Sequence, residues 1–136
     1  PRARREAAAF RLQAQGILEF LELQAHRDVL VGNLSYGLQK RVELGRALIA
    51  GPSLLLLDEP MAGMNAEEKQ EMARFVADVN RELGTTVVLI EHDIGVVMGL
   101  SDHVVVLDYG RKVGDGTPAE VQANPEVIAA YLGVKH

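Results

Sequence analysis

Leu54-Leu55-Leu56-Leu57-Asp58-Glu59-Pro60 is the stretch whose reading decides the fold. Four consecutive leucines form an apolar run of strand length, and Pro60 ends it before a helix could develop. The pattern predicts a strand buried on both faces, as in a parallel sheet covered by helices. Asp58 and Glu59 then fall at the carboxyl end of the strand, the edge where open α/β sheets bind their ligands. Two carboxylates against such a run suit metal-assisted phosphoryl transfer, with one directed to Mg²⁺ and the other to a water. The plainer reading is a solvated strand end.

Upstream, Asn33-Leu34-Ser35-Tyr36-Gly37-Leu38-Gln39 runs into a helical pattern through Ala50, with Leu38, Val42, Gly45 and Ile49 on one side and Leu44 and Leu48 widening it. Gly51-Pro52 stops that helix. Ser35 and Gly37 therefore lie at a helix amino terminus, where free N–H groups and the dipole favour an anion. An ordinary serine cap is the competing reading. Downstream, Met61-Ala62-Gly63-Met64 makes a loop, and Asn65 with Glu68 three residues on has the spacing of a capping box. The helix that follows is expected to turn Met72, Phe75, Val76, Val79 and Leu83 inward and to end at Gly84. Thr85 to Ile90 reads as a second strand, again apolar on both faces. It delivers Glu91-His92-Asp93 to the edge already holding Asp58 and Glu59. A histidine after a strand is more often a cap or surface residue than a catalyst, but two polar clusters ending two buried strands point to a site.

The rest of the 136 residues, 48% of them apolar, supplies one small core. Arg2, Arg4 and Arg5 form a solvated helix start, and from about Ala3 to Gln24 Phe10, Ala14, Ile17, Leu18 and Leu21 recur at helical spacing, with Gly16 weakening the pattern. Ala25 to Asn33 is loop-like. Ile94 to Leu100 reads as a short helix, Val104 to Leu107 as a third strand, and Arg111 to Gly114 as the return arm of a hairpin. Thr117-Pro118 and Asn124-Pro125 open two closing helices. A net charge of −5 gives no broad basic face for nucleic acid. There is no cysteine for disulfide or thiolate chemistry, and no apolar run approaches the roughly 20 residues of a membrane span. The opening at Pro1, without an initiator methionine, reads as the interior or a processed part of a longer polypeptide.

Leu34-Ser35-Tyr36-Gly37-Leu38 resembles the signature motif of ABC-type ATPases, and Leu54 to Pro60 resembles their Walker B strand with its following glutamate. Ala62-Gly63-Met64-Asn65 resembles the D-loop, and His92 stands where the switch histidine does. Tyr36, Ile90-Glu91-His92-Asp93, Asn124-Pro125-Glu126 and Tyr131-Leu132-Gly133 resemble the branched-chain amino acid importers within that family; the lipopolysaccharide-exporting ATPases share some of these features. The resemblance implies an α/β fold, the C-terminal half of a P-loop NTPase (ABC ATPase) sheet with flanking helices. Residues 1–50 would form part of a helical signature subdomain, 51–116 part of the RecA-like core and 117–136 a helical extension. It implies ATP and Mg²⁺ as cofactors, with Asp58 toward the metal, Glu59 as general base and His92 at the γ-phosphate. Ser35, Gly37 and Asn65 would face a nucleotide or the interface with a second ATPase subunit. The partners implied are that subunit and transmembrane permease subunits at the cytoplasmic face of a membrane. Many relatives have Asp at the position of Asn65, and Leu38 stands where the signature usually has a polar residue.

The 136 residues contain no Gly-x-x-x-x-Gly-Lys-Ser/Thr loop, the element that cradles nucleotide phosphates. By itself the chain is expected not to bind ATP tightly or hydrolyse it, and its sheet is expected to leave an apolar edge or face uncovered. A non-catalytic dimerisation or interaction module derived from the same family is the alternative. A DNA-repair or structural-maintenance ATPase head would need long coiled-coil heptads, and the sequence has none.

Overall fold

A computed structural model describes residues 1–133, so 134–136 of the expected helical extension lie outside the described residues. The chain divides into two compact units, Pro1–Ile90 and Glu91–His136.

The first unit begins with α1 (Arg2–Phe20), which runs unbroken through Gly16. Its expected inward face is realised only at its end. Ile17 and Leu18 are half-buried, Leu21 is fully buried, and Phe10 and Ala14 are exposed. The expected loop from Ala25 to Asn33 is tightened by two single 3₁₀ turns. α2 (Tyr36–Leu48) buries Leu44, Gly45 and Leu48, and Ile17 and Leu21 seat against it at Gly45. β1 (Leu54–Asp58) leads to α3 (Ala66–Leu83), then β2 (Thr86–Ile90). The two strands pair in parallel from Leu54↔Thr86 to Asp58↔Ile90.

Contrary to the expected burial of both faces, this sheet is covered on one. Leu55 is buried and Leu57 half-buried, whereas Leu54 and Leu56 are 52% and 69% exposed. Val88 and Ile90 of β2 are exposed as well, giving the uncovered apolar face anticipated for a sheet of so few strands. Leu83, expected inside, is half-exposed at the last turn of α3. Thr85 is not in the strand: its buried hydroxyl donates to Pro52 O (3.2 Å), its N–H to Val79 O, and its carbonyl accepts from Asn80 Nδ2 (2.9 Å). A buried hydroxyl so paired avoids the cost of an unmet polar group and joins the end of α3 to the starts of both strands.

Phe75, 1% exposed, anchors α3. The guanidinium groups of Arg41 and Arg74 lie 4.6 and 4.5 Å from its ring centroid. Each cation has a carboxylate partner, Glu71 for Arg41 and Glu22 for Arg74, both at 2.9 Å. The Arg74 hydrogen bond holds the Glu22 carboxyl below the ordinary glutamate range.

In the second unit, Asp93 caps α4 (Ile94–Leu100), accepting from Val96 N. In the antiparallel hairpin, β3 (Val104–Asp108) runs one residue and β4 (Arg111–Gly116) two residues further than the sequence suggests, with a bulge beside Val106. α5 (Pro118–Ala123) and α6 (Pro125–Tyr131) start at the expected caps Thr117 and Asn124. Their Val121 and Val127 close over Val104 with Val97, Met98, Val106 and Val113. Lys112 first, then His103, holds Asp115 below the ordinary aspartate range by hydrogen bonding.

The uneven burial of the leucine strand predicts that Leu55→Ala loses about 2–5 kcal/mol of stability, while Leu56→Ser stays within about 0.5 kcal/mol; urea unfolding measures both. Because folding depresses the Glu22 pKa, the Glu22–Arg74 pair stabilises at pH above the ordinary glutamate value and is lost as pH falls through the folded-state value. The urea midpoint therefore drops on the acid side of about 4.3, and Glu22→Gln removes part of that drop.

Candidate functional site

Parallel pairing brings the ends of β1 and β2 to one edge of the sheet, where Asp58, the last residue of β1, is exposed. Glu59 follows in the left-handed region, at φ +46°. For a residue with a side chain this conformation costs about 1–2 kcal/mol, so the surroundings must hold it. Two bonds do: Glu59 N donates to Ile90 O at 2.8 Å, and Ala62 N donates to Glu59 O at 3.1 Å. The chain thus leaves the ladder and turns sharply, presenting an exposed Glu59 beside Asp58. Met61 and Met64, 1% and 7% exposed, anchor the loop in the core beneath.

Ser35, Gly37 and Asn65 are brought together, as wall residues of one cleft of about 340 Å³ between the amino ends of α2 and α3. Asn65 and Glu68 form the capping box expected from their spacing: Asn65 Oδ1 accepts from Glu68 N (2.9 Å) and Glu68 Oε2 accepts from Asn65 N (3.0 Å). Ser35 sits at the N-cap of α2, but its side chain makes no capping bond. The ordinary-cap reading of this serine is therefore not realised. Gly37 sits at a close approach, since a Cβ there would stand 3.1 Å from Glu68 Oε1 and press on that side chain. No acidic residue occupies the first turn of α2, which leaves its dipole uncompensated from its own helix. On the opposing wall, Glu67 and Glu68 complement the dipole of α3 and Glu71 pairs with Arg41. The cleft therefore has an electropositive helix end on one side and committed carboxylates on the other.

Tyr36 was not among the residues that the sequence marks as functional. Its hydroxyl donates to Ala62 O at 2.9 Å, and its ring lies against Gly63, 3.4 Å from where a Cβ would be. Gly63 has φ +76°, a conformation that disfavours a side chain, and it leaves the ring at ordinary contact distance. Lys40 Nζ stands 5.6 Å from the tyrosine ring centroid. An aromatic residue following a serine cap was the only sequence signal for this contact.

His92 belongs to the second unit, exposed between the half-buried Glu91 and Asp93, and its backbone N–H donates to Glu91 Oε2 at 3.3 Å. With Glu91 it borders a small apolar cavity lined by Val97, Met98, Val104 and Val127 among others.

Among the described residues no cluster of three His, Cys, Asp or Glu side chains could hold a metal alone. The residues nevertheless fit Mg²⁺, which is commonly bound by one or two carboxylates completed by waters and substrate phosphates. Asp58, an exposed hard-oxygen ligand at a strand end, is of that kind. No helix among the described residues is long and apolar enough to cross a membrane.

Comparison with known proteins agrees with this fold. Residues 2–62 match the family described as ABC transporter, and residues 111–136 match the branched-chain amino acid ATP-binding cassette transporter family. The chain is 43% identical over 116 residues to the high-affinity branched-chain amino acid transport ATP-binding protein LivG of Salmonella typhimurium, covering 85% of this chain and 46% of LivG. It is 42% identical over 132 residues to BraF of Pseudomonas aeruginosa, which has the same description, covering 97% of this chain and 51% of BraF. Among solved structures, the ADP conformation of MJ1267, an ATP-binding cassette of an ABC transporter, superposes with a TM-score of 0.83 at 32% identity, covering 93% of this chain and 51% of that one. The cbiO1 protein of Clostridium perfringens, part of the ABC transporter complex cbiONQ, gives 0.79 at 34% identity, covering 88% and 47%. The chain spans about half the length of the curated relatives it matches. In sequence and in fold it matches part of the ATP-binding proteins of ABC transporters, those described for branched-chain amino acid transport among them.

Proposed function

We propose that this chain is the carboxy-terminal part of an ATP-hydrolysing subunit that drives import of branched-chain amino acids. The observation that carries the reading is the pair Asp58–Glu59 at the carboxyl end of β1, with Glu59 held in a left-handed backbone that turns it off the strand. Asp58 would hold Mg²⁺ through water, as a hard oxygen ligand. When bound, the metal supplies charge stabilisation at the phosphate oxygens. Glu59 takes the proton from the attacking water as general base. His92 contacts the γ-phosphate and registers its loss. Ser35 and Gly37, at the amino terminus of α2, face the nucleotide held by a second ATPase subunit, and Asn65 lies along the interface between the two. The assembly sits at the cytoplasmic face of a membrane through permease subunits, which select the solute. The matches to LivG, BraF and the branched-chain family over residues 111–136 support the solute class.

The alternative reading is a non-catalytic module that keeps the dimerising surfaces; the phosphate-cradling loop is not among these 136 residues. On either reading this chain alone does not hydrolyse ATP.

Titrating MgATP into the 136-residue chain is expected to give no saturable binding below about 1 mM; tight binding contradicts the assignment of the phosphate grip to another segment. In a subunit completed with a phosphate-loop half and assembled with its permease, Glu59→Gln is expected to lower turnover by about 10²–10⁴-fold with ATP affinity kept. Turnover that survives removes Glu59 as the base, and a completed wild-type subunit without turnover favours the interaction module.

A further inference from the structure

We infer that Tyr36 is a positioning residue for Glu59, acting through the backbone of the loop that follows it. The inference rests on the proposed reading of Glu59 as the general base.

The path is short and wholly within the first unit. The Tyr36 hydroxyl donates to Ala62 O, and the N–H of the same Ala62 donates to Glu59 O. Ala62 is therefore gripped on both sides of its residue, by the amino end of α2 on one and by Glu59 on the other. Met64 N donates to Met61 O, closing a second turn in the same loop. Gly63 lies against the tyrosine ring, so the ring limits how far the loop can swing while the hydroxyl fixes its height. Glu59 itself has a backbone conformation that a side-chain-bearing residue rarely adopts, at φ +46°. Such a conformation persists only where the surroundings over-determine it. Of the bonds that hold it, Glu59 N to Ile90 O belongs to the end of the sheet, while Ala62 N to Glu59 O belongs to the loop. Tyr36 is a side chain that ties this loop to α2.

A second tie runs parallel to the first. Gly37 packs against the Glu68 side chain, and Glu68 caps Asn65. The loop from Glu59 to Asn65 is thus held to the first turn of α2 at two places, by Tyr36 near its middle and by Gly37 through the capping box at its far end. A displacement of the α2 amino terminus is transmitted to the carbonyl of Ala62 and thence to Glu59. The two elements that the proposed reaction assigns to different nucleotides are coupled mechanically inside one chain.

Tyr36→Phe deletes the hydroxyl and keeps the ring against Gly63. In the completed, permease-assembled subunit it is expected to lower kcat about tenfold, the loss of one hydrogen bond expressed at the base, with KM for ATP within about twofold and the melting temperature kept within about 2 °C. Hydrogen exchange at the Ala62 and Met64 amides is expected to speed up in the same variant. Glu59→Gln, measured alongside, separates the two layers. Wild-type kcat in Tyr36→Phe with Glu59→Gln inactive overturns the coupling and leaves the base in place. A fall in kcat matched by a rise in KM, or unchanged amide exchange, also overturns it. Turnover retained in Glu59→Gln overturns the base and this inference with it.

Discussion

Parallel pairing of two five-residue strands is the constraint on which the first unit depends. The register from Leu54↔Thr86 to Asp58↔Ile90 makes both strands finish at one edge, and Ile90 O is thereby available to accept the Glu59 N–H. Without that acceptor the turn after Asp58 would lose one of the bonds that offset its left-handed backbone. Parallel strands need a covered crossover, and α3 is that crossover, secured by Phe75 and by the junction at Thr85. The carboxylate pair is a consequence of how the sheet ends as much as of which residues stand there.

What could be read from the sequence were features with their cause in neighbouring residues. The capping box of Asn65 and Glu68 is a matter of three-residue spacing, and it forms as the spacing says. The same holds for Thr117 and Asn124, whose side chains accept at the helix starts ahead of Pro118 and Pro125. The leucine run gives a strand because its length and Pro60 leave little else. Burial of both its faces did not follow, because coverage is a property of what packs on the sheet. Leu55 and Leu56 are the same residue type in the same strand, yet one is 6% and the other 69% exposed. Likewise, Phe10 keeps the helical spacing of a core residue but has nothing to cover it in this unit.

The site was legible in its parts and not in its connections. Spacing put Ser35 and Gly37 at a helix start and Asn65 at another, and the fold lines one cleft with all three. That Ser35 leaves the capping role unfilled was not readable, since a serine before a helix normally takes it. Nor was the bond from Tyr36 to Ala62, which spans 26 residues and depends on how α2 and the loop meet. Long-range contacts of this kind carry no local pattern, so periodicity and caps pass over them.

The electrostatics of the α2–α3 cleft follow from how its charges are employed. Glu67 and Glu68 stand in the first turn of α3, where carboxylates oppose the helix dipole, and Glu68 is further held by two hydrogen bonds. Glu71 is paired with Arg41, whose guanidinium also stacks on Phe75 and donates to Leu21 O. These carboxylates are therefore tied to α3 and to the core, and their field is partly met by donors already in place. The amino terminus of α2 is different: it has no acid in its first turn, no capping bond from Ser35, and at its second position a glycine against which the Glu68 side chain packs. An anion entering the cleft would find its N–H donors on that wall, and the carboxylates opposite would disfavour a highly charged ligand reaching deeper.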